Sequence, residues 1–422
     1  MAEECFVYIT LPGTTDPITA ARFEIGQTRD GRPLGRLVYG KSYLDRADAV
    51  EFDPAELHLN ARTYETLGLK GIFGALRDAG PDYWGREVIK RHLGVAEPSE
   101  LDYLLNASDD RAGALGFGLG AKPPAPKRDY NQRIDLARLQ TLADAILNDA
   151  PVAADAQAAQ VDELLNGGSS MGGARPKVVV KDNDALWIAK FNAPHDKWNY
   201  ARVEHAMLLL ARSCGLTSSE SKVVSAGGRD VLMVKRFDRE SDGKLFRRAR
   251  MISGLTLMRA EDSHQSRDLW SYLLLAEEVR RVSADPKVDA NELFRRMCFN
   301  SVISNTDDHP RNHAMIAPHR AWRLSPAYDL VPNPVISQEK RDLALICGDQ
   351  GRVANVTNLL SQARRFLLSD KAATNILSTV RDCVTAQWYA IARREGVSEQ
   401  DCDRIRGAFN YPGLDLAQVS PV

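Results

Sequence analysis

The sequence predicts an α+β protein with a sheet-containing N-terminal part and a mostly helical C-terminal lobe. Short runs of strand-forming residues, separated by turns that contain Gly or Pro, dominate the beginning of the chain. From about residue 250 onward the apolar residues recur with helical spacing, as in DLWSYLLLAEEVRRV and NELFRRMCFNSVISN. A chain of 422 residues exceeds the size of a single compact core, so two or three compact units are expected.

The composition is that of an ordinary globular protein. The chain has 55 Lys and Arg residues against 56 Asp and Glu residues, and 44% of its residues are hydrophobic. This balance argues against bulk disorder and against a polyanion-binding tail, so any contact with nucleic acid must be local or come through a partner. The start, MAEECFVYITLPG, lacks the pattern of a signal peptide, and no apolar run approaches the ~18 residues of a membrane span. A cytoplasmic protein without membrane contact is expected, and its six scattered cysteines are expected to be reduced and mostly in the core.

The first predicted domain covers residues 1–125 and is a small α+β module. Strand-like stretches at Phe6–Thr10, Phe23–Ile25 and Arg36–Tyr39 alternate with turns such as Asp30-Gly31. The segment AGALGFGLGAKPPAPKR (112–128) is rich in Gly and Pro and changes composition abruptly. Such a segment is typical of an extended crossing or linker, so the domain boundary is placed next to it.

Residues 126–240 are predicted to form a second domain, and residues 241–422 a third, helical one. In the second domain, helical periodicity at 133–149 and 156–165 precedes the Gly-rich segment NGGSSMGGARPK. Two apolar runs, Val178–Val180 and Leu186–Phe191, flank a polar turn and predict a β-hairpin. A helix at 200–213 that stops at Gly215 and a strand at Val231–Val234 complete this part.

The segment SNTDDHPRNHAMI (304–316) is the densest cluster of polar residues in the chain. Asp307 and Asn312 stand five positions apart in a loop that follows a predicted helix, and Asp329 follows after WRLSPAYDL. Phosphoryl transfer needs a carboxylate that accepts or orients the hydroxyl proton, and an amide oxygen with a second carboxylate that hold Mg²⁺. Taken alone, however, Asp307 and Asn312 are equally compatible with turn-forming residues.

The Gly-rich segment and a strand lysine could supply the phosphate-binding half of such a site. The loop matches neither the Walker A pattern nor G-x-G-x-x-G, but its four glycines allow backbone N–H groups to approach an anion, and Arg175 and Lys177 add positive charge. Lys190, in LWIAKFN, is either a phosphate-binding strand lysine or an edge-strand lysine. Glu204 is either a carboxylate that steadies Lys190 or a surface glutamate. Gly-rich loop, strand lysine, helix, strand, Asp-x4-Asn and a later Asp is the order of a two-lobed protein-kinase-like fold.

With these motifs the sequence resembles the HipA family of serine/threonine kinases, the toxins of HipBA-type toxin–antitoxin pairs, over nearly the whole chain. TDDHPRN resembles the catalytic loop of that family, SPAYDL its metal-binding segment, SSMGGARPK its Gly-rich loop and VKRFDR its strand-to-hinge segment. FGALRDAGPDYWGR (73–86) resembles its N-terminal module. The His-Arg-Asp and Asp-Phe-Gly triplets of eukaryotic kinases are absent, so control through an activation loop is not assumed.

The resemblance implies a site for ATP and Mg²⁺. Asp307 is implied as the catalytic base, Asn312 and Asp329 as the Mg²⁺ ligands, and Ser170 as a loop serine that is autophosphorylated with an inhibitory effect, with Ser169 beside it as the other candidate. The implied ATP-binding residues are Ser170, Gly172, Gly173, Lys177, Lys190, Lys235 and Phe237. The implied partners are a HipB-like helix-turn-helix antitoxin, DNA through that antitoxin only, and a protein substrate, with an aminoacyl-tRNA synthetase as the best precedent.

Three alternatives remain open at the level of sequence. The first is a small-molecule kinase of the aminoglycoside or choline type, which shares the Asp-x4-Asn logic. The second is a catalytically weak co-repressor subunit that binds the antitoxin. The third is a transition-metal phosphoesterase site built from His309, His313, Asp307 and Asp308, which leaves the Gly-rich loop and Lys190 without a role. In the kinase interpretation His309 orders the loop through backbone hydrogen bonds, Asp308 is a solvated neighbour, and KLFRRAR (244–250) is a solvated basic stretch.

Overall fold

The computed structural model describes residues 4–127, 129–147, 175–193, 195–334, 337 and 339–415. It contains both sheets and helices, and residues from about 254 onward are mostly helical, which confirms the predicted α+β class. The chain divides into two compact units, each discontinuous in sequence. Unit 1 comprises Met1–Pro194, Ser225–Ile252 and Ile316–Trp322, and unit 2 comprises His195–Val224, Ser253–Met315 and Arg323–Val422. The division into domains at 1–125, 126–240 and 241–422 stays a prediction.

The strands and helices of the described residues are numbered in chain order. The strands are β1 (Glu4–Thr10), β2 (Pro17–Gln27), β3 (Pro33–Tyr39), β4 (Tyr64–Thr66), β5 (Leu115–Gly118), β6 (Asn131–Gln132), β7 (Lys177–Asp182), β8 (Ala185–Phe191), β9 (Ser221–Ala226), β10 (Arg229–Lys235), β11 (Arg239–Asp242), β12 (Leu245–Arg248), β13 (Arg250–Ser253), β14 (Ala314–Ala317) and β15 (Arg323–Leu324). The helices are α1 (Lys41–Leu44), α2 (Gly74–Asp78), α3 (Tyr83–Leu93), α4 (Glu100–Asn106), α5 (Leu136–Leu147), α6 (Tyr200–Ser213), α7 (Gly254–Leu257), α8 (Tyr272–Val282), α9 (Pro286–Val302), α10 (Val356–Ser361), α11 (Asp370–Arg394) and α12 (Glu399–Ile405).

Among the described residues, unit 1 contains two large sheets of five strands each, besides the small sheet β11-β12. The first has the strand order β4-β3-β2-β1-β5, with every neighbouring pair antiparallel. In the second, β7 pairs in parallel with β6 and antiparallel with β8, which in turn pairs antiparallel with β10. The predicted hairpin is confirmed as β7 and β8, and Asn183 in its turn has a φ of 54°. Asn tolerates this left-handed conformation, which two-residue hairpin turns require.

A cluster of buried charges joins the two sheets of unit 1. The guanidinium of Arg236 donates to both carboxylate oxygens of Asp238, at 3.0 and 2.8 Å, and to the backbone carbonyls of Asp110 and Arg111, at 3.0 and 2.7 Å. Burial alone would raise the pKa of Asp238, but the charges of Arg236 and Arg239 outweigh it and lower that pKa. The segment that follows β10 is therefore held to the segment that precedes β5 by charge-assisted hydrogen bonds that water does not screen.

The prediction that KLFRRAR is a solvated basic stretch is wrong for two of its arginines. Arg248 is 8% exposed and pairs with Asp109 at 2.7 Å, and Arg250 is 2% exposed and pairs with Glu51 at 2.6 Å. Arg247 is partly exposed, with 41% of its side chain accessible to solvent. Alternation along β12 turns Arg248 inward, where Asp109 from a distant part of the sequence neutralises it.

Unit 2 is mainly helical, with α9 as its most buried long helix. Helix α6 ends as predicted, since Cys214 is its C-cap and Gly215 follows with a φ of 82°. Four cysteines are buried and free, but Cys214 and Cys383 form a disulfide that joins the end of α6 to α11, so the expectation of six reduced cysteines is wrong. Within the part of the chain that the structure describes, no helix is both long and apolar enough to cross a membrane.

We expect that Asp238→Asn will destabilise the protein by about 3–5 kcal/mol, because it leaves Arg236 and Arg239 buried without their carboxylate. Denaturant titration and thermal unfolding measure the change. The matched control is Asp242→Asn, which removes an exposed pair with Arg247 and should change the free energy of unfolding by less than about 1 kcal/mol. Equal effects of the two substitutions would contradict the structural role of the cluster.

Candidate active site

The polar loop that follows α9 has a fixed backbone. Ser304 turns the chain out of the helix with a φ of 54°, and its carbonyl accepts a hydrogen bond from the N–H of Thr306 at 2.9 Å. The N–H of His309 donates to the Asp307 carbonyl at 2.8 Å, and the N–H of Asn312 donates to the His309 carbonyl at 2.7 Å. These short-range bonds place Asp307 and Asn312 on one compact turn, as their five-residue spacing suggested.

Two carboxylates of the candidate site influence each other. The pKa of Asp307 is raised above its ordinary value of 3.8, first by partial desolvation and next by the negative charge of Asp329. Asp329 has a φ of 59°, a conformation that non-glycine residues rarely adopt and that is often found at functional sites. The side-chain N–H of Asn312 donates to the backbone carbonyl of Asp307 at 3.4 Å, so the side-chain oxygen of Asn312 is available as a metal ligand. Oxygen donors of this kind suit Mg²⁺.

Asp308 is part of a buried network, so the prediction of a solvated neighbour is wrong. Its side chain accepts hydrogen bonds from the hydroxyl of Tyr272 and from Nε2 of His313, the latter at 2.9 Å, and Asp308 is only 1% exposed. Asn300 donates to the Tyr272 hydroxyl at 3.1 Å, and burial together with the charge of Asp308 raises the pKa of Tyr272. The hydrogen bonds that Asp308 accepts therefore attach the loop to the buried side chains of Tyr272 and His313, whereas the adjacent Asp307 is exposed.

His309 orders the loop, as predicted, and it does so with a partner outside the loop. Its Nδ1 accepts a hydrogen bond from the N–H of Arg311 at 3.2 Å, and its Nε2 contacts Asp262 at 3.0 Å. Arg311 contacts the other oxygen of Asp262 at 3.3 Å, and these two neighbours lower the pKa of Asp262 to about 2. With both histidines engaged by aspartates, the geometry gives no support to the transition-metal alternative.

Arg341 fixes the beginning of the same loop. Its guanidinium donates to the hydroxyl of Ser304, and to the carbonyls of Gly407 and Ala408 at 2.7 and 2.9 Å. Arg341 is 2% exposed, lies over the ring of Tyr411, and has its pKa lowered to about 10 by burial. Sequence reasoning missed Arg341, Asp262 and Tyr272, because each lies more than 25 positions from the loop residue that it contacts and no local spacing marks it.

In unit 1, Lys177 and Lys190 are direct cross-strand partners in β7 and β8. Cross-strand partners in an antiparallel pair project from the same face of the sheet, so both lysines lie on one face. Lys177 is 2% exposed, while Lys190 is partly exposed. Lys235 pairs with Trp187 and hence projects from the opposite face of this sheet, and Phe237 follows two residues later with partial exposure.

The sequence analysis also singled out residues of the Gly-rich segment and Glu204. Ser169, Ser170, Gly172 and Gly173 lie outside the described residues. Glu204 is 4% exposed, so the alternative of a surface glutamate is wrong, while its pairing with Lys190 stays a prediction.

Comparison with known proteins shows the family of the chain. A family model for the HipA-like C-terminal domain matches residues 169–388, just over half of the chain. Y4mE of Sinorhizobium fredii, which is named as an inferred kinase, is 26% identical over 360 residues, covering 78% of this chain and 81% of that protein. A Haemophilus influenzae protein, also named as an inferred kinase, is 22% identical over 229 residues, covering 48% of this chain and 65% of its own length.

A solved structure shows the same fold. One chain of the complex of HipA, HipB and operator DNA from Shewanella oneidensis matches with a TM-score of 0.70. The match covers 96% of this chain and 95% of that one, at 15% sequence identity. Together with the family model, it shows that this protein belongs to the HipA family.

Proposed function

We propose that this protein is an ATP- and Mg²⁺-dependent kinase that phosphorylates a serine or threonine hydroxyl of another protein. The observation that carries the proposal is that Asp307 and Asn312 lie on one turn, where the Asn312 amide donates to the Asp307 carbonyl, and that the charge of Asp329 acts on Asp307. Kinase names among the relatives and the family match support it.

In this proposal each residue has one role. Asp307, which is exposed beside the buried Asp308, would accept or orient the proton of the attacking hydroxyl. Asn312 and Asp329 would hold Mg²⁺, which supplies positive charge to the transferred phosphoryl group. Lys190 would contact the phosphates, while the segment of Lys235 and Phe237 would border the adenine. Gly172, Gly173 and Ser170 remain proposed members of the ATP site, and Lys177 is proposed to support that site through its ion pair with Asp82.

We also propose that the kinase is the toxin of a toxin–antitoxin pair. The solved relative is a complex of HipA with HipB and operator DNA, which supports a HipB-like helix-turn-helix antitoxin as partner and DNA contact through it. An aminoacyl-tRNA synthetase is the proposed class of substrate, on the basis of the family resemblance alone. A cytoplasmic location is part of this proposal.

We expect that Asp307→Asn will reduce phosphoryl transfer by roughly 10²–10⁴, because the amide cannot accept the proton while the shape of the side chain is kept. The assay is incorporation of labelled phosphate from ATP into the protein itself or into a synthetase substrate. Asp268→Asn is the matched control, since that side chain is 98% exposed in the same unit. Near-normal turnover of Asp307→Asn would exclude Asp307 as the base.

Asp329→Ala and Asn312→Ala should each weaken the Mg²⁺-dependent part of ATP binding by about tenfold or more, because each removes an oxygen ligand of the metal. Calorimetry with ATP in Mg²⁺ and again in EDTA separates the metal-dependent part from the rest. In EDTA the variants should bind ATP like the unmodified protein. Unchanged affinity in Mg²⁺ for both variants would show that the metal assignment is wrong.

Phosphorylation of Ser170 should inhibit the kinase. A phosphate adds about −1.5 to −2 charges to a segment whose glycines and Arg175 suit an anion, so it would compete with the ATP phosphates or repel them. Mass spectrometry locates the phosphate, and Ser169→Ala and Ser170→Ala show which serine carries it. Calorimetry then compares ATP binding of the phosphorylated and dephosphorylated protein. Equal affinity and equal turnover would refute the inhibitory role but not the kinase assignment.

A further inference from the structure

The N-terminal segment FGALRDAGPDYWGR contributes no residue to the proposed chemistry, yet one of its residues reaches the sheet that carries Lys190. Asp82 is the N-cap of α3, and its Oδ1 accepts a hydrogen bond from the N–H of Gly85 at 2.7 Å. Its Oδ2 accepts a hydrogen bond from Nζ of Lys177 at 2.6 Å. The side chains of Asp82 and Lys177 are 6% and 2% exposed, so this ion pair is buried.

The surroundings of Asp82 give it a fixed position. Arg86, one turn into α3, donates to Glu100 in a two-pronged contact and lies over the ring of Tyr103, both on α4. Arg77 donates to the carbonyl of Pro81 at 3.2 Å, just before Asp82. Hydrogen bonds of neighbouring residues fix the backbone on both sides of Asp82, and the carboxylate of Asp82 itself caps α3. Asp82 therefore offers Lys177 a counter-charge at a fixed position.

The position of Lys177 makes this contact relevant to the nucleotide. Lys177 is the first residue of β7 and the direct cross-strand partner of Lys190 in β8. Two like charges directly opposite one another on a sheet repel, and a lysine that is buried needs a counter-charge. Asp82 supplies that charge to Lys177, and so it reduces the repulsion that Lys190 would otherwise feel.

We propose that Asp82 is a positioning residue of the nucleotide site, which acts by holding Lys177 in a structural ion pair that fixes β7 opposite Lys190. Phosphate recognition then depends on Lys190, and the ammonium of Lys177 makes no direct contact with the phosphates. This inference rests on the proposed kinase function. It gives the N-terminal segment a role in nucleotide binding, through the exit of the Gly-rich segment at Lys177.

The test compares one single and one double variant of the full chain, with ATP affinity in Mg²⁺ measured by calorimetry and Tm measured separately. Lys177→Met leaves the Asp82 carboxylate buried without this cation, so Tm should fall and ATP should bind several-fold more weakly. Adding Asp82→Asn replaces the ion pair by two neutral side chains of similar size, and it should restore both Tm and ATP affinity. Asp102→Asn is the matched control, because Asp102 caps α4 in the same module through Ser99.

Each outcome has a distinct meaning. If the double variant regains its Tm but still binds ATP tenfold or more weakly, Lys177 contacts the phosphates and the inference is wrong. If Lys177→Met lowers Tm without changing ATP affinity, the pair serves stability only and the positioning role is refuted. If Lys177→Met does not fold, the ATP affinity of the double variant relative to that of the unmodified protein still decides whether Lys177 contacts the phosphates. Lys190→Met tests the underlying function separately, since unchanged ATP affinity in that variant would remove the proposed nucleotide site itself.

Discussion

The candidate site depends on holding two like charges, Asp307 and Asp329, close enough to perturb each other. Burial and, after it, the charge of Asp329 raise the pKa of Asp307, which means that the ionised carboxylates carry a free-energy cost that the rest of unit 2 must offset. Packing and hydrogen bonds at the ends of the loop that carries Asp307 offset this free-energy cost. Asp308 is tied to Tyr272 and His313 within the core, and Ser304 is tied to the buried guanidinium of Arg341. The backbone of Ser304 keeps its φ of 54° because these contacts determine it more strongly than local preference does.

Much of this arrangement could be predicted from sequence because its key signals are local. The spacing of Asp307 and Asn312, the hairpin around Asn183 and the helix stop at Gly215 each depend on a few adjacent residues, and the structure has all three features. The supporting contacts could not be predicted in the same way. Asp262 lies 47 positions from His309, and Arg341 lies 37 positions from Ser304, so only the folded chain brings each pair together. Spacing therefore indicates the candidate site residues, while tertiary packing decides which contacts hold them in place.

The errors of the sequence analysis have a common physical cause. Asp308, Arg248, Arg250 and Glu204 were assigned to solvent wholly or as one alternative because charged residues are rarely buried, yet all four are less than 10% exposed. For three of them the structure shows a partner that makes burial possible: Asp308 meets His313, Arg248 meets Asp109 and Arg250 meets Glu51. Composition does not reveal such pairs, because either partner alone looks like an ordinary surface residue. The disulfide between Cys214 and Cys383 was not predicted either, because 169 positions separate its two cysteines in the sequence.

The candidate residues of unit 1 and those of unit 2 differ in how like-charge repulsion is offset, and this difference follows from the contacts within each unit. In unit 1 the repulsion between Lys177 and Lys190 is reduced within the protein, because Asp82 neutralises Lys177. In unit 2, burial and the charge of Asp329 raise the pKa of Asp307, so its ionised form lowers stability as the pH rises from below 3.8 through that higher pKa. A bound divalent cation would offset this cost directly and would stabilise the folded state by mass action. The lysine pair is therefore stabilised by a contact within unit 1 itself, whereas the carboxylate pair retains an electrostatic preference for a cation.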